Sequence, residues 1–305
     1  MVRQSIKIGL VDADLLCNGT RHPNLVLMKL AWFLNDNGID FKLIIDQNEN
    51  IKPYKYIYIS RVFTFTQEPS FYKKATPYQK EHKFRKGGTG FYANELNVNK
   101  YRYEREKDMK QLENDEFLNS YPNRRGGSRT YGIDLAHQMP YYHLYDEFVE
   151  CKVSEGFKRD KYKDYQQYSI GFLTRGCIRH CPFCINKLED TIFPYSELEW
   201  FLDEERDEHG HLVRPYIYLW DDNFLAADPE VWRSKLQQLI DTGRPFQFRQ
   251  GLDERMLAES PYGEEQRCFR KQNTIINSCI VLNNWNYGTP KRFFNAKKCR
   301  LVIAS

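Results

Sequence analysis

Three of the chain's eight cysteines fall within eight positions, as Cys177, Cys181 and Cys184 in the run Gly176-Cys177-Ile178-Arg179-His180-Cys181-Pro182-Phe183-Cys184. Thiolates are soft ligands, and a C-x3-C-x2-C spacing puts three of them on one short loop, suited to an iron–sulfur cluster or to zinc. Structural zinc sites reach four ligands, commonly with paired C-x2-C units. Here a single C-x2-C is present, no second pair follows at zinc-finger distance, and His180 is the residue that could complete a Cys3His set. Three thiolates on a [4Fe-4S] cube leave one iron without a protein ligand. Electron carriers normally use four cysteines, so an open iron suits a site where a small molecule must bind the metal.

The loop needs an element to launch it. Ser169–Thr174 (SIGFLT) reads as a buried strand running directly into it. Ser196 with Glu199 forms a capping box that predicts a helix to about Glu208. Pro215–Trp220 (PYIYLW) is the next strand. Asp228-Pro229-Glu230 then gives a cap, a first-turn proline and an acid facing the helix dipole. The helix it starts buries Trp232, Leu236, Leu239 and Ile240 and stops at Gly243. Pro245–Arg249 (PFQFR) is a third strand. This βαβαβ rhythm predicts a parallel sheet or barrel, in which ligands gather at the carboxyl ends of the strands. Strand one ends in the cysteines, strand two in Asp221-Asp222-Asn223-Phe224, and strand three in Gln250-Gly251-Leu252-Asp253 with Arg255 beyond. For Asp221–Phe224 the plain alternative is a turn with a helix cap, since Asp and Asn are ordinary turn residues.

GFLTRGCIRHCPFC resembles the cluster loop of radical S-adenosylmethionine enzymes, including the aromatic Phe183 before the last cysteine. The resemblance implies that Cys177, Cys181 and Cys184 hold a [4Fe-4S] cluster whose open iron is chelated by S-adenosylmethionine. It further implies one-electron cleavage to a 5′-deoxyadenosyl radical, and an electron donor such as a flavodoxin or ferredoxin. D-D-N-F after the second strand is similar to the branch that carries a cobalamin-binding-like N-terminal domain, where simpler members have a G-G-E-like motif. By that likeness Phe183, Asp221, Asp222 and Asn223 become cofactor-binding candidates. Asp253 and Arg255 are candidates for the ribose or carboxylate, with an exposed ion pair as the alternative.

The N-terminal part fits the same branch. Ile6–Val11 reads as a strand ending at Asp12, and Asn24 caps a helix to about Asn37 with Gly38 as its stop. Leu27, Leu30, Ala31 and Leu34 form the helix's buried face, which Leu25, Met28 and Trp32 widen. Phe41–Ile45 and Lys55–Ser60 are further strands, so a parallel Rossmann-like sheet is expected. The D-x-H-x-x-G loop that supplies an imidazole to cobalt is missing: Asp12, Ala13 and Asp14 stand where it would begin, and His22 comes too late. Bound cobalamin is therefore not expected.

The predicted organisation is an α/β chain. Residues 1–66 form a cobalamin-binding-like segment, 67–167 a polar insertion, 168–260 a partial radical S-adenosylmethionine barrel of three βα units, and 261–305 an atypical tail. Within the insertion, Gly87-Gly88-Thr89-Gly90 and Gly126-Gly127 read as turns rather than phosphate cradles, and Tyr101–Asn119 as an exposed helix. From residue 262 the strand–helix rhythm stops and Cys268, Cys279 and Cys299 come at irregular spacing. Eight basic residues there face two acids, a local +6, which leaves −2 for the rest of a chain of net charge +4. Truncation or a frameshift near residue 260 would explain this, as would a divergent ending. A chain that is a non-catalytic remnant, or a zinc-binding interaction module, is the alternative to an enzyme.

Composition excludes several classes. With 41% hydrophobic and 15% aromatic residues in 305, the chain can build real cores and is not disordered throughout. No apolar run approaches the roughly 20 residues of a membrane span. The start MVRQSIKIGLVDADLL lacks a secretory leader, which points to the cytoplasm. The basic whole-molecule field of a nucleic-acid binder is absent.

Overall fold

The computed structural model describes residues 6–19, 22–123, 130–182 and 184–253. Phe183, Arg255, Gly126-Gly127 and the tail therefore lie outside the described residues. The chain divides into two compact units, Met1–Gln166 and Gln167–Ser305.

The first unit is built on a four-stranded parallel sheet in the order β2-β1-β3-β4. Its strands are β1 (Lys7–Asp12), β2 (Asp40–Leu43), β3 (Tyr54–Ser60) and β4 (Phe84–Gly87). Ile8 pairs with both Phe41 and Tyr56, and Ile57 pairs with Phe84. After β1 comes the short helix α1 (Ala13–Asn18), then α2 (Leu25–Asp36). Asn24 caps α2 as the sequence predicts, its side chain accepting from the Leu27 N–H. Leu27, Met28, Leu30, Ala31 and Leu34 are buried on the sheet, whereas Trp32, expected to widen that face, is exposed.

A parallel sheet must be covered on both faces, and residues 67–166 do much of that work. The short helices α3 (Ser70–Lys73) and α4 (Pro77–His82) precede β4, which completes the sheet. Phe71 and Tyr72 pack with Val11, Ile57 and Ile59 on one face. After α5 (Val98–Lys110) the chain supplies the other face through Leu118, Tyr142 and Tyr145, then Phe148 and Val149 of α6 (Asp146–Ser154) and Tyr165 of α7 (Lys163–Gln166). This corrects the expectation of a polar insertion. Its tyrosines read as polar in the sequence, yet each buries a large apolar ring once the hydroxyl finds a partner.

Tyr145 shows how. Its hydroxyl donates to Asp12 Oδ2 at 2.9 Å and accepts from the Asn24 N–H at 2.8 Å. Asp12 also receives the Leu15 N–H at 3.1 Å as the cap of α1. The glycine run after β4 serves as a turn. A Cβ on Gly88 (φ +105°) would lie 2.4 Å from the Arg61 carbonyl oxygen. The Gly88 and Gly90 N–H groups are taken by Asp108 Oδ1 and by the Arg61 carbonyl, so neither remains for a phosphate.

The second unit holds a parallel sheet in the order β5-β8-β9, with a separate antiparallel pair β6-β7. The strands are β5 (Tyr168–Gly171), β6 (Thr174–Gly176), β7 (Ile192–Pro194), β8 (Tyr216–Leu219) and β9 (Phe246–Phe248). Helix α8 (Pro229–Asp241), capped by Asp228, packs Trp232, Leu236 and Leu239 against Ile217, Leu219, Phe246 and Phe248. The helix expected over 196–208 is absent, and only a single turn of 3-10 helix stands at Leu198–Trp200. Distant partners take this segment. Phe201 packs over Gly171, where a Cβ would come within 2.3 Å of its ring. Buried Arg214 draws in Asp203 at 2.6 Å and Glu205 at 2.7 Å, and Arg244 draws in Glu204 at 2.6 Å. A closed barrel is not seen among the described residues.

Burial pushes the Asp12 carboxyl up to about 7, with the Leu15 N–H and the Tyr145 hydroxyl pulling it down and Asp14 adding repulsion. The folded chain thus holds this proton more tightly than the unfolded chain, so the contribution of Asp12 to stability is full below about pH 4 and is lost as pH rises to 7. Comparing wild type with Asp12→Asn by denaturant unfolding across that range isolates the effect. The difference in unfolding free energy should drift against wild type by an amount on the order of 4 kcal/mol, whereas parallel pH profiles would contradict it.

Candidate cysteine-loop site

The strand expected to run unbroken from Ser169 to Thr174 is divided at Phe172-Leu173, and Asp221 is the cause. This side chain, 1% exposed at the end of β8, accepts from the Leu173 N–H at 3.1 Å, the Thr174 N–H at 2.6 Å and the Thr174 hydroxyl at 2.8 Å. Those donors leave the β5 ladder, and the chain turns into β6. Burial pushes the Asp221 carboxyl up to about 6 against these donors. The donors favour the ionised form, which burial opposes.

Asp222 fixes the next step. Its Oδ2 receives the Gly176 N–H at 3.0 Å and lies 3.3 Å from Arg175 Nε. The Arg175 guanidinium lies over the Phe172 ring, 4.2 Å from its centroid. Gly176, at φ +101°, pairs with Ile192 of β7, and a Cβ there would sit 2.1 Å from the Thr191 carbonyl oxygen. Only glycine allows this approach, and the cysteine loop starts at the next residue.

Within the loop, Cys177 is buried and Cys181 and Cys184 are half-buried; none is in a disulfide. Cys177 Sγ accepts from the Arg179 N–H at 3.3 Å, and Cys184 Sγ from the Asn186 N–H at 3.4 Å. The Cys184 N–H bonds to the Cys181 carbonyl at 2.9 Å. The Cys184 thiol is pushed up by burial and also by the charges of Cys177 and Cys181, while the Asn186 N–H lowers it. Among the described residues no group of three or more His, Cys, Asp or Glu side chains is gathered as a ready metal site. The donor set nevertheless fits a sulfur-bound group in its chemistry, with three thiols on one loop and backbone N–H groups aimed at two of the sulfurs. His180 is engaged elsewhere: its Nδ1 lies 3.0 Å from the Lys187 carbonyl oxygen and its Nε2 3.4 Å from Asp190. That weighs against a Cys3His zinc site.

Asn223 and Asp253 stand beside Cys177. Asn223 Nδ2 is 3.6 Å from Cys177 Sγ and 3.4 Å from Asp253 Oδ2. Asp253, beyond β9, pairs with Arg179 Nε at 2.8 Å. The geometry thus brings together Cys177, Asn223 and Asp253 of the sequence-predicted set. Asp221 and Asp222 it turns to backbone donors of the β5–β6 connection. Phe183 and Arg255 lie outside the described residues. Sequence reasoning passed over Thr174, Arg175, Gly176 and Arg179. Of these, Gly176 carries a local signal, a glycine directly before the first cysteine, whereas the Arg179–Asp253 pair spans 74 positions.

No family model matches the chain, and no curated protein matches it. Among solved structures it is similar to the radical S-adenosylmethionine methyltransferase TsrM from Kitasatospora setae with cobalamin and a [4Fe-4S] cluster bound. The TM-score is 0.42 and the identity 13%, over 80% of this chain and 54% of that one. A second TsrM structure, with tryptophan substrate and the analogue aza-SAM bound, gives 0.42 and 14% over the same shares. The chain spans about half the length of the solved structures it matches.

Gly176→Ala should lower stability by roughly 3 kcal/mol or more, because the new Cβ meets backbone and the backbone angle is strained. Gly210→Ala, also at positive φ but with nothing within 4 Å of the added Cβ, should cost only about 1 kcal/mol. Denaturant unfolding of the two variants checks this, and equal losses would show that the approach to Thr191 is not what demands glycine.

Proposed function

We propose that this chain is a radical S-adenosylmethionine enzyme in which Cys177, Cys181 and Cys184 each ligate one iron of a [4Fe-4S] cluster. The observation that carries the reading is the three-thiol loop that follows β6, with Asn223 of the β8 exit and Asp253 of the β9 exit beside Cys177. When bound, the cluster supplies one electron to S-adenosylmethionine held on its open iron, yielding methionine and a 5′-deoxyadenosyl radical. The electron comes from a flavodoxin- or ferredoxin-like donor.

The chain's own residues have separable tasks. Asp221 sets the turn that delivers the loop, through the Leu173 and Thr174 N–H groups. Asp222 holds the Gly176 N–H and Arg175, so its carboxylate supports the loop from behind. Asn223 and Asp253 remain next to Cys177, as the polar groups best placed to meet the cofactor's amino acid end; Phe183 and Arg255 are proposed as further contacts on the resemblance alone. Backbone N–H groups on Cys177 and Cys184 stabilise the thiolate form that iron requires.

Anaerobic reconstitution of the full chain with ferrous iron and sulfide tests the reading. Wild type should take up four irons, show the broad visible absorption of an iron–sulfur cluster, and release 5′-deoxyadenosine from S-adenosylmethionine under reductant. Replacing any one of the three cysteines by Ala should abolish cluster retention. A colourless protein that instead binds a single zinc tightly would refute it, and a cluster that never yields 5′-deoxyadenosine would identify a non-catalytic remnant.

A further inference from the structure

We infer that Asn223 is a positioning residue for the Cys177 sulfur, an amide donor whose orientation is locked by Asp253 and Arg179 and which tunes the group that sulfur binds. The inference rests on the cluster reading above and adds a residue-level device to it.

The amide is 5% exposed and has two N–H bonds to give. Cys177 Sγ lies 3.6 Å from Nδ2 and Asp253 Oδ2 lies 3.4 Å from it, one acceptor for each hydrogen. Reversing the amide would set its oxygen against a sulfur and a carboxylate, both acceptors. The donor orientation is therefore the one this environment permits. It leaves Asn223 Oδ1 buried with no hydrogen-bond partner among the described residues, a state that is unfavourable. A side chain retained at that cost, with its donors directed at sulfur and carboxylate, points to a role in the site rather than in packing.

The rest of the arrangement supports the same sulfur. Arg179 directs its backbone N–H to Cys177 Sγ at 3.3 Å and its Nε to Asp253 at 2.8 Å. One residue of the cysteine loop thus donates to the sulfur directly and also anchors the carboxylate that orients the second donor. The three contributors come from the β8 exit, the β9 exit and the loop itself, so the contact depends on the whole sheet edge. Hydrogen bonds to ligating sulfur withdraw electron density, stabilise the reduced cluster and raise its reduction potential.

The test uses the full chain, reconstituted with iron and sulfide, as wild type, Asn223→Leu, Asn223→Asp and Asn223→Gln. Leu keeps the approximate shape without a donor, Asp keeps the shape and adds a charge, and Gln retains an amide. The readouts are the cluster's midpoint potential, followed by electron paramagnetic resonance in a reductive titration, and the rate of iron loss to a chelator. Leu should move the potential to more negative values and weaken iron retention by roughly 10-fold or more. Asp should move the potential further in the same direction, and Gln should lie between Leu and wild type. A packing role alone would loosen iron in Leu yet leave its potential at the wild-type value. If wild type holds a cluster and Leu keeps its potential, the inference falls and the cluster reading stands. If wild type takes up no cluster, both fall. Should Leu not fold, Asn223→Ala, which removes the donor without adding a charge, is read in its place: a potential at the wild-type value overturns the inference and a more negative one supports it.

Discussion

A buried carboxylate at the end of one strand determines where the cysteine loop begins. Asp221 gathers the Leu173 N–H, the Thr174 N–H and the Thr174 hydroxyl, and three charge-assisted hydrogen bonds in an apolar setting are strong enough to divert a strand from its ladder. Without them the chain from Ser169 would continue as β5. With them it turns into β6, pairs with β7, and reaches Gly176 at the backbone angle that releases Cys177. The Asp222 contact to the Gly176 N–H and the Asn223 contact to Cys177 follow in sequence from the same strand exit. Three consecutive residues of β8's exit thus act on three successive parts of the β5 exit, which parallel pairing at Ile170–Tyr218 and Gly171–Leu219 sets side by side.

The first unit uses buried acids in a similar manner. Asp12 caps α1 and receives Tyr145, while Asp14 accepts the Val62 N–H at 2.6 Å and the Phe63 N–H at 3.2 Å, securing the exit of β3. In each unit an acid just past a parallel strand organises the neighbouring strand's exit loop. Desolvation opposes this arrangement, and donors directed at the carboxylates offset it.

Legibility in the sequence followed the range of the interactions concerned. Helices α2 and α8 were readable because Asn24, Asp228 and Pro229 act within one turn of the chain, and apolar spacing named most of their buried residues. The parallel sheets were readable from short apolar runs with intervening helices. The helix expected over 196–208 was not formed because Arg214 and Arg244, which lie outside that stretch, take its acids. The polar look of residues 67–166 concealed tyrosines whose rings are core and whose hydroxyls find partners far along the chain, as Tyr145 does with Asp12. At the site, the cysteines and the Asp221–Asn223 cluster were visible by type and spacing. Their division of labour was not, because it depends on which backbone N–H groups a parallel neighbour presents.

The central claim is that three cysteines leave one iron of a [4Fe-4S] cluster free for S-adenosylmethionine. Electron paramagnetic resonance of the reduced, reconstituted chain, recorded before and after S-adenosylmethionine is added, addresses that iron directly. The account predicts a reduced-cluster signal whose g-values shift on addition, because a new ligand enters the coordination sphere of one iron. A signal that is unchanged by saturating S-adenosylmethionine, or no cluster signal from a folded protein, would contradict it.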